Sequence, residues 1–184
     1  MNIFVLENCP TKSAQSQCDK HVVKMVLESA QMLCSIFEKG KAPYRRCHYN
    51  HPCTKWVRHS KQNYEWLLEH AKALAEEYTH RYKKTHKSEI VINWCLEHYE
   101  KLGLPSKGIT EFAQAMPEQY KNPCVVTAYR NYYKGEKSGF AKWTGRTSPR
   151  WFRERESEDQ RLQKLSDQCL QDYFANKREE EEER

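Results

Sequence analysis

The apolar residues of this chain recur mainly at steps of three and four, the spacing of one face of an α-helix. A short apolar run at 2–6 suits an extended lead-in. The first helical pattern follows Pro10, with Thr11 or Ser13 as the expected N-cap, and ends near Gly40. Its apolar positions are Ala14, Cys18, Val22, Met25, Val26, Ala30, Leu33 and Phe37. The sequence therefore predicts one long amphipathic helix here.

A second pattern runs from Pro52 to about Tyr82 and predicts a long central helix. Proline suits the first turn of a helix, where its missing N–H has no intrahelical partner. One face carries Trp56, Ser60, Tyr64, Leu67, Ala71, Leu74 and Tyr78. A helix of this length would cross a small domain, at about 1.5 Å per residue.

The following segments predict shorter elements. A third helix is expected from Ser88 to Gly103, then a loop over 103–123 that contains one helical turn at 111–116. A fourth helix is expected from Cys124 to about Trp143, weakened by two internal glycines.

The C-terminal end is polar and acidic. Residues 153–176 predict an exposed helix with few apolar anchors, and the glutamate run after Arg178 predicts a disordered tail. The predicted fold class is therefore all-α. It consists of one helical domain of four to six helices over residues 1–152, with a long central helix, followed by a polar C-terminal helix and acidic tail over 153–184.

Charge is distributed unevenly between these two parts. Residues 1–151 hold 24 basic and 14 acidic residues, whereas residues 152–184 hold seven basic and eleven acidic ones. A basic body favours a polyanionic partner such as DNA or a nucleotide. The alternative is that the charge only keeps the protein in solution.

The N-terminus predicts no export. It lacks the basic and apolar regions of a signal peptide, and no run approaches eighteen consecutive apolar residues. We therefore expect no membrane association, a cytoplasmic location and reduced cysteines that pack in the core or bind metal.

Candidate acid–base residues lie on the first predicted helix. His21, Lys24 and Glu28 share one stripe, since three, four and seven residues bring helix positions to the same face. Such a stripe beside an apolar face suits proton transfer or amine chemistry. The alternative is an ordinary surface ion pair between Lys24 and Glu28.

Cysteine and histidine residues offer a second kind of site. Cys18, His21, His51 and Cys53 could together bind a tetrahedral Zn²⁺ ion, although their spacing is not that of a zinc finger. The alternative is that both cysteines pack in the core, and that His51 caps a helix or contacts phosphate. The primary expectation is that no cofactor or metal is needed.

Aromatic and basic residues alternate in a third stretch, from Tyr129 to Arg153. Arg130, Asn131, Lys134 and Lys137 belong to it, and this composition suits phosphate contacts combined with base stacking. Inward-facing aromatics with solvated cations are the alternative. A glycine-rich phosphate loop, a nucleophile elbow and a Cys-x-x-Cys pair are all missing, which argues against simple kinases, hydrolases and zinc ribbons.

Several short motifs resemble a family of uncharacterised viral proteins that is common in bacteriophages. The resemblance covers residues 1 to about 152 and implies a viral origin and a host-cell location. The motifs that carry it are Asn2-Ile3-Phe4, Cys18 to Met25, Asn50-His51-Pro52-Cys53, Phe112 to Pro117 and Ala128 to Tyr133.

Asp19-Lys20-His21 and Glu28 also resemble the first helix of the all-helical pyrimidine-dimer DNA glycosylases of the endonuclease V type. The resemblance implies that Glu28 is the catalytic carboxylate and that His21 and Asp19 support it. Further candidates for contact with nucleic acid are Arg45, Arg46, His51, Arg58, Arg130, Asn131, Lys134 and Lys137.

The nucleophile differs from the pattern that the resemblance implies. That family uses the α-amine exposed by loss of the initiator methionine, whereas Asn2 is expected to disfavour this loss. The amine of a retained Met1, the amine of Lys24, or water without a lyase step all remain open.

The sequence thus predicts a viral DNA-acting enzyme for DNA repair or modification. Its expected activity is glycosylase-like base excision, as a hydrolase with or without a lyase step, or modification of a DNA base or nucleotide. The alternatives are a zinc-dependent or zinc-stabilised nucleotide enzyme, and a non-catalytic nucleic-acid or nucleotide-binding protein that counters host defence. The target base and the oligomeric state stay open.

Overall fold

The computed structural model describes residues 1–153, and the regular structure in this part is entirely helical. The all-α fold class is therefore confirmed. Its α-helices are α1 (Pro10–Ser16), α2 (Asp19–Ile36), α3 (Pro52–Val57), α4 (Lys61–Tyr82), α5 (Glu89–His98), α6 (Val125–Glu136) and α7 (Arg150–Arg153). Short 3₁₀ helices cover Tyr99–Leu102 and Glu118–Tyr120.

The chain forms two compact units, Met1–Ser148 and Pro149–Arg184. The second unit is described only through α7, so most of the predicted polar helix and the whole acidic tail lie outside the described residues. None of the helices up to residue 153 combines the length and apolar character needed to cross a membrane.

Helix α4 is the centre of the first unit. It packs against α1, α2, α3 and α5. Its side chains Tyr64, Leu67, Ala71 and Leu74 are fully buried, because they repeat at helical spacing along one face. With 22 residues, α4 is about 33 Å long.

The first predicted helix is divided, which corrects the expectation of one continuous helix. Gln17 and Cys18 are extended and separate α1 from α2. The Gln17 amide donates to the Ile3 carbonyl at 3.1 Å and pairs with His70 Nε2 at 3.1 Å. The Cys18 N–H donates to the Tyr133 hydroxyl at 3.1 Å. These tertiary bonds replace the intrahelical ones that a continuous helix would make.

The apolar run before α1 enters the core without forming regular structure. Ile3, Val5 and Leu6 are at most 1 % exposed. The Ser13 hydroxyl donates to the Phe4 carbonyl at 3.1 Å and accepts from the Leu6 N–H at 3.0 Å. Ser13 therefore fastens this run, and the expectation that Thr11 or Ser13 caps the helix is wrong, since Cys9 is the N-cap.

The predicted central helix is also divided, into α3 and α4, by residues 58–60. Ser60 is extended and its hydroxyl accepts from the Asn63 N–H at 3.1 Å, which caps α4. The Asn63 side chain in turn donates to the Trp56 carbonyl at 2.8 Å. Pro52 begins α3 as expected.

The remaining elements follow the prediction with two corrections. Gly103 ends the 3₁₀ turn after α5 with φ of 58°, a left-handed conformation that suits glycine. The turn expected at 111–116 is not helical, and side chains bind its backbone instead: the Asn2 side-chain N–H donates to the Ala115 carbonyl at 2.8 Å. Helix α6 stops at Glu136, short of the expected Trp143.

A buried ionic cluster joins α4 to α2 and to the segment after α6. Arg81 donates to Glu77 at 2.7 Å and to Asp19 at 2.9 Å, and Arg146 donates to Glu77 at 2.6 Å. Asp19 also accepts from the N–H and the hydroxyl of Thr144, at 2.9 and 2.8 Å. The side chains of Arg81 and Glu77 are 0 % and 1 % exposed, so each charge depends on its partners.

Substitution of Glu77 by glutamine should lower the free energy of unfolding by about 3 kcal/mol, because it removes a buried carboxylate that pairs with both Arg81 and Arg146 and leaves Arg81 only its ion pair with Asp19. Urea unfolding followed by circular dichroism measures this difference. The exposed neighbour Glu76 provides the control, and Glu76→Gln should stay within about 0.5 kcal/mol of wild type. Equal losses in the two variants would contradict a structural role for the cluster.

The cluster should also make stability depend on acid. Burial raises the pKa of Glu77, but hydrogen bonds from Arg146 and Arg81 outweigh burial and hold its pKa below 4.5. A carboxylate with a lowered folded-state pKa stabilises the fold above its unfolded-state pKa, and this contribution is lost as the pH falls through the folded-state value. The stability advantage of wild type over Glu77→Gln should therefore shrink as the pH is lowered below 4.5 in urea titrations. An advantage that stays constant would contradict this.

Candidate active site

The carboxylate of Glu28, in the third turn of α2, contacts three nitrogen atoms. Its Oε2 lies 3.6 Å from the Met1 α-amine and accepts from the Asn2 N–H at 3.2 Å. Its Oε1 lies 3.2 Å from Lys24 Nζ. Glu28 is 9 % exposed, so an almost buried carboxylate meets both candidate amines.

The first residues of the chain are held in this position by Asn2. Its side-chain N–H donates to the Ala115 carbonyl at 2.8 Å, and its Oδ1 accepts from the Ile3 N–H at 2.8 Å and from the Tyr129 hydroxyl at 2.7 Å. The Thr54 hydroxyl contacts Met1 Sδ at 3.7 Å. Sequence reasoning considered Asn2 as part of a family motif and for its effect on methionine removal, and missed this anchoring role.

The two candidate amines differ in their surroundings. The Met1 side chain is 3 % exposed, and the backbone that carries its amine is fixed through Asn2. The Lys24 side chain is 66 % exposed and joins Glu28 through an ordinary contact of residues four apart on a helix. The Met1 amine is thus the more rigidly positioned of the two.

His21 lies two turns before Glu28 on α2 and is buried. Its Nδ1 pairs with the Tyr133 hydroxyl at 2.5 Å, and its ring stacks on Phe4 with 4.3 Å between centroids. Burial, together with the charges of Lys137 and Lys24, lowers the pKa of His21 to about 4. The imidazole is therefore neutral at pH 7 and hydrogen-bonds to Tyr133 instead of to Glu28.

Asp19, the other supporting residue expected for Glu28, is bound elsewhere. Its carboxylate belongs to the ionic cluster with Arg81 and Thr144 at the start of α2. Burial raises its pKa, but the hydrogen bonds from Thr144 and Arg81 outweigh burial and hold the pKa below its usual value. Asp19 therefore positions the helix that carries Glu28 and does not touch the Glu28 carboxylate.

The nucleic-acid candidates on α6 have mixed surroundings. Arg130 forms an ion pair with Glu7 at 2.6 Å and donates to the Leu6 carbonyl at 3.0 Å, so it braces the N-terminal segment. Asn131 is exposed and Lys134 is half-buried. Lys137, just after α6, lies over the Tyr132 ring at 4.6 Å.

The remaining nucleic-acid candidates lie before and just after α3. Arg45 is exposed, whereas Arg46 and Arg58 both lie over the Tyr49 ring. His51 caps α3, since its Nδ1 accepts from the Cys53 N–H at 3.2 Å. Burial lowers the pKa of His51, the charges of the N-terminal amine and His48 lower it further, and Glu28 opposes them. His51 is therefore close enough to interact electrostatically with the N-terminal amine and Glu28.

The alternative zinc ligands are not assembled. Cys18 contacts the Tyr133 hydroxyl at 3.6 Å, and His51 uses Nδ1 to cap its helix. Burial raises the pKa of the Cys53 thiol to about 12, which disfavours the thiolate that zinc binds. Within residues 1–153, His, Cys, Asp and Glu side chains form no group of three or more that could hold a metal ion. Cys18, His21, His51 and Cys53 are thus not brought together as one group in this part of the chain.

Comparison with known protein families shows a similarity over the part of the chain that contains this site. Residues 1–90 match a family described as pyrimidine dimer DNA glycosylase. The matched segment contains the N-terminus, Lys24 and Glu28. No curated protein and no solved structure matches the chain. The N-terminal part of this chain is therefore distantly similar to the pyrimidine dimer DNA glycosylases, which supports a DNA glycosylase-like function at the level of that family.

Proposed function

We propose that this protein is a DNA glycosylase-like enzyme that excises a base from DNA, with Glu28 as its catalytic carboxylate. One observation carries the proposal: the nearly buried Glu28 carboxylate lies 3.6 Å from the N-terminal amine and 3.2 Å from the Lys24 amine. It occurs within residues 1–90, the part that is similar to pyrimidine dimer DNA glycosylases. A viral origin and a place in the host cytoplasm stay predictions from the sequence.

The chemistry of base excision fits a carboxylate in this setting. As the bond between the sugar C1′ and the base nitrogen breaks, positive charge develops on the sugar. A fixed negative charge beside the sugar stabilises that transition state, and the same carboxylate can accept a proton from the attacking group. Because Glu28 is largely buried, its charge acts with little screening by water.

The proposed nucleophile is the α-amine of Met1. The nitrogen of this amine forms a bond to the sugar C1′ as the bond between C1′ and the base breaks. The electron pair of the broken bond leaves with the base, which takes up a proton. The amine passes one of its own protons to Glu28. Met1 is preferred over Lys24 because Asn2 fixes its backbone, whereas the Lys24 side chain is 66 % exposed.

The other expected site residues take supporting roles in this proposal. Neutral His21 holds Phe4, next to the N-terminal residues, through ring stacking at 4.3 Å. The target nucleotide must leave the duplex stack to reach a largely buried carboxylate. Exposed or half-buried Arg45, Asn131, Lys134 and Lys137 are proposed to contact the backbone around it.

Replacing Glu28 by glutamine should reduce the rate of base release by a factor on the order of 100 or more, because the charge that stabilises the sugar cation and accepts the proton is lost. The measurement is a single-turnover assay on a panel of duplexes with damaged or modified bases. Glu38→Gln is the matched control, since Glu38 is exposed just beyond the end of α2. An unchanged rate in Glu28→Gln would remove Glu28 from the reaction.

Borohydride should trap a covalent adduct between the protein and DNA, because an amine bound to an opened sugar forms an imine that borohydride reduces. Peptide mapping should find the adduct on the N-terminal residue, in protein without an N-terminal tag. Lys24→Arg, which keeps the charge beside Glu28 but removes the lysine amine, should still be trapped.

An adduct on Lys24 would contradict the assignment of Met1, and base release without any adduct would contradict an amine nucleophile. Binding of DNA with neither base release nor adduct on any duplex would contradict the glycosylase proposal as a whole. That last result would favour a non-catalytic nucleic-acid-binding protein.

A further inference from the structure

One segment of the chain contains cations without acids. Residues 39–64 include no Asp or Glu, but they hold seven Lys and Arg residues and three His. Lys61, the last of these cations, pairs with Glu65 and Glu100 outside the segment. Within residues 1–153, Arg46 and Arg58 form no ion pair. This surface therefore carries positive charge that no acidic side chain of the described residues neutralises, which favours an anionic partner.

Two of the cations converge on one aromatic ring. The guanidinium carbons of Arg46 and Arg58 lie 4.4 and 4.0 Å from the centroid of the Tyr49 ring. The two carbons can therefore be no more than about 8.4 Å apart. Like charges this close repel each other, and both arginines are kept there by attraction to the face of the same ring.

Each guanidinium is also fixed by one main-chain carbonyl. Arg46 Nη2 donates to the Phe37 carbonyl at 2.5 Å, and Arg58 Nη1 donates to the Tyr49 carbonyl. A guanidinium has five N–H donors, so most of them remain for another acceptor. Arg46 Nε is buried without a partner among the described atoms, which indicates that the cluster lacks an acceptor.

The cluster lies next to the candidate active site. The Arg58 N–H donates to the Thr54 carbonyl at 3.3 Å, and the Thr54 hydroxyl contacts Met1 Sδ at 3.7 Å. Helix α3, six residues and about 9 Å long, thus connects Arg58 to the N-terminus that meets Glu28. His51, two residues after Tyr49, is close enough for the charges of the Met1 amine and Glu28 to affect its pKa.

We propose that Arg46, Tyr49 and Arg58 form a phosphate clamp for the DNA backbone beside the nucleotide at Glu28. Planar guanidiniums bind phosphate oxygens through paired hydrogen bonds. A surface with two guanidiniums and no carboxylate therefore suits a phosphodiester better than a neutral ligand. Tyr49 is a positioning residue, since its ring holds both guanidiniums in place for the phosphate. The clamp rests on the proposed function for its DNA partner, but it requires no catalytic step.

Binding of an undamaged fluorescent DNA duplex, measured by anisotropy over a range of salt concentrations, tests the clamp without any chemistry. Loss of one phosphate contact should reduce the slope of log affinity against log salt by about 0.9, so Arg58→Gln should show this change. Tyr49→Leu should also weaken binding although it removes no charge, whereas Tyr49→Phe keeps the ring and should bind as wild type. Lys72→Gln, at an exposed cation of α4, should leave the slope unchanged.

The variants separate the clamp from general charge and from folding. Arg58→Lys keeps the charge and should bind more weakly than wild type, and equal thermal unfolding midpoints show that each variant is folded. Wild-type affinity and slope in Arg58→Gln or Tyr49→Leu would overturn the clamp, as would an equal loss in Lys72→Gln. The clamp would survive if its variants weaken binding while no duplex releases a base, an outcome that contradicts only the glycosylase proposal.

Discussion

The fixing of the first residues inside the core is the constraint on which the candidate site depends. Asn2 bonds to Ala115 and Tyr129, and Ile3, Val5 and Leu6 are buried behind it. These contacts join the start of the chain to the loop before α6 and to α6 itself. Without them, the N-terminal amine would sample many positions, and its approach to Glu28 would carry a large entropic cost. The site is thus assembled by tertiary packing, although Lys24 and Glu28 come from a single helix.

The ionic cluster gives the site its second support. Arg81 of α4 holds Asp19 at the first turn of α2, and Glu77 holds Arg146 from the segment after α6. Helix α2 is therefore fixed at its start by charge and along its length by apolar packing against α4. Since Glu28 lies in the third turn of this helix, its position follows from both. Asp19, which the resemblance places in support of Glu28, lies in this cluster and does not contact the Glu28 carboxylate.

Periodicity of apolar positions was sufficient to predict the all-α fold and the buried face of α4, because helical spacing depends on local sequence alone. The break at Gln17–Cys18 depends on the distant partners His70 and Tyr133, which no local pattern contains. The contact between Lys24 and Glu28 could be predicted from a separation of four residues. The anchoring of Asn2 by Tyr129 could not, since 127 residues separate them. The ion pair of Arg130 with Glu7 could not be predicted for the same reason, because 123 residues separate the two.

The burial of His21 and the partial burial of His51 affect the charge near the candidate active site. Burial lowers the pKa of both imidazoles, so neither adds appreciable positive charge near Glu28 at neutral pH. The cations that face a polyanion there are lysine and arginine side chains, which keep their charge throughout the physiological range. Attraction of DNA to this surface should therefore respond strongly to ionic strength.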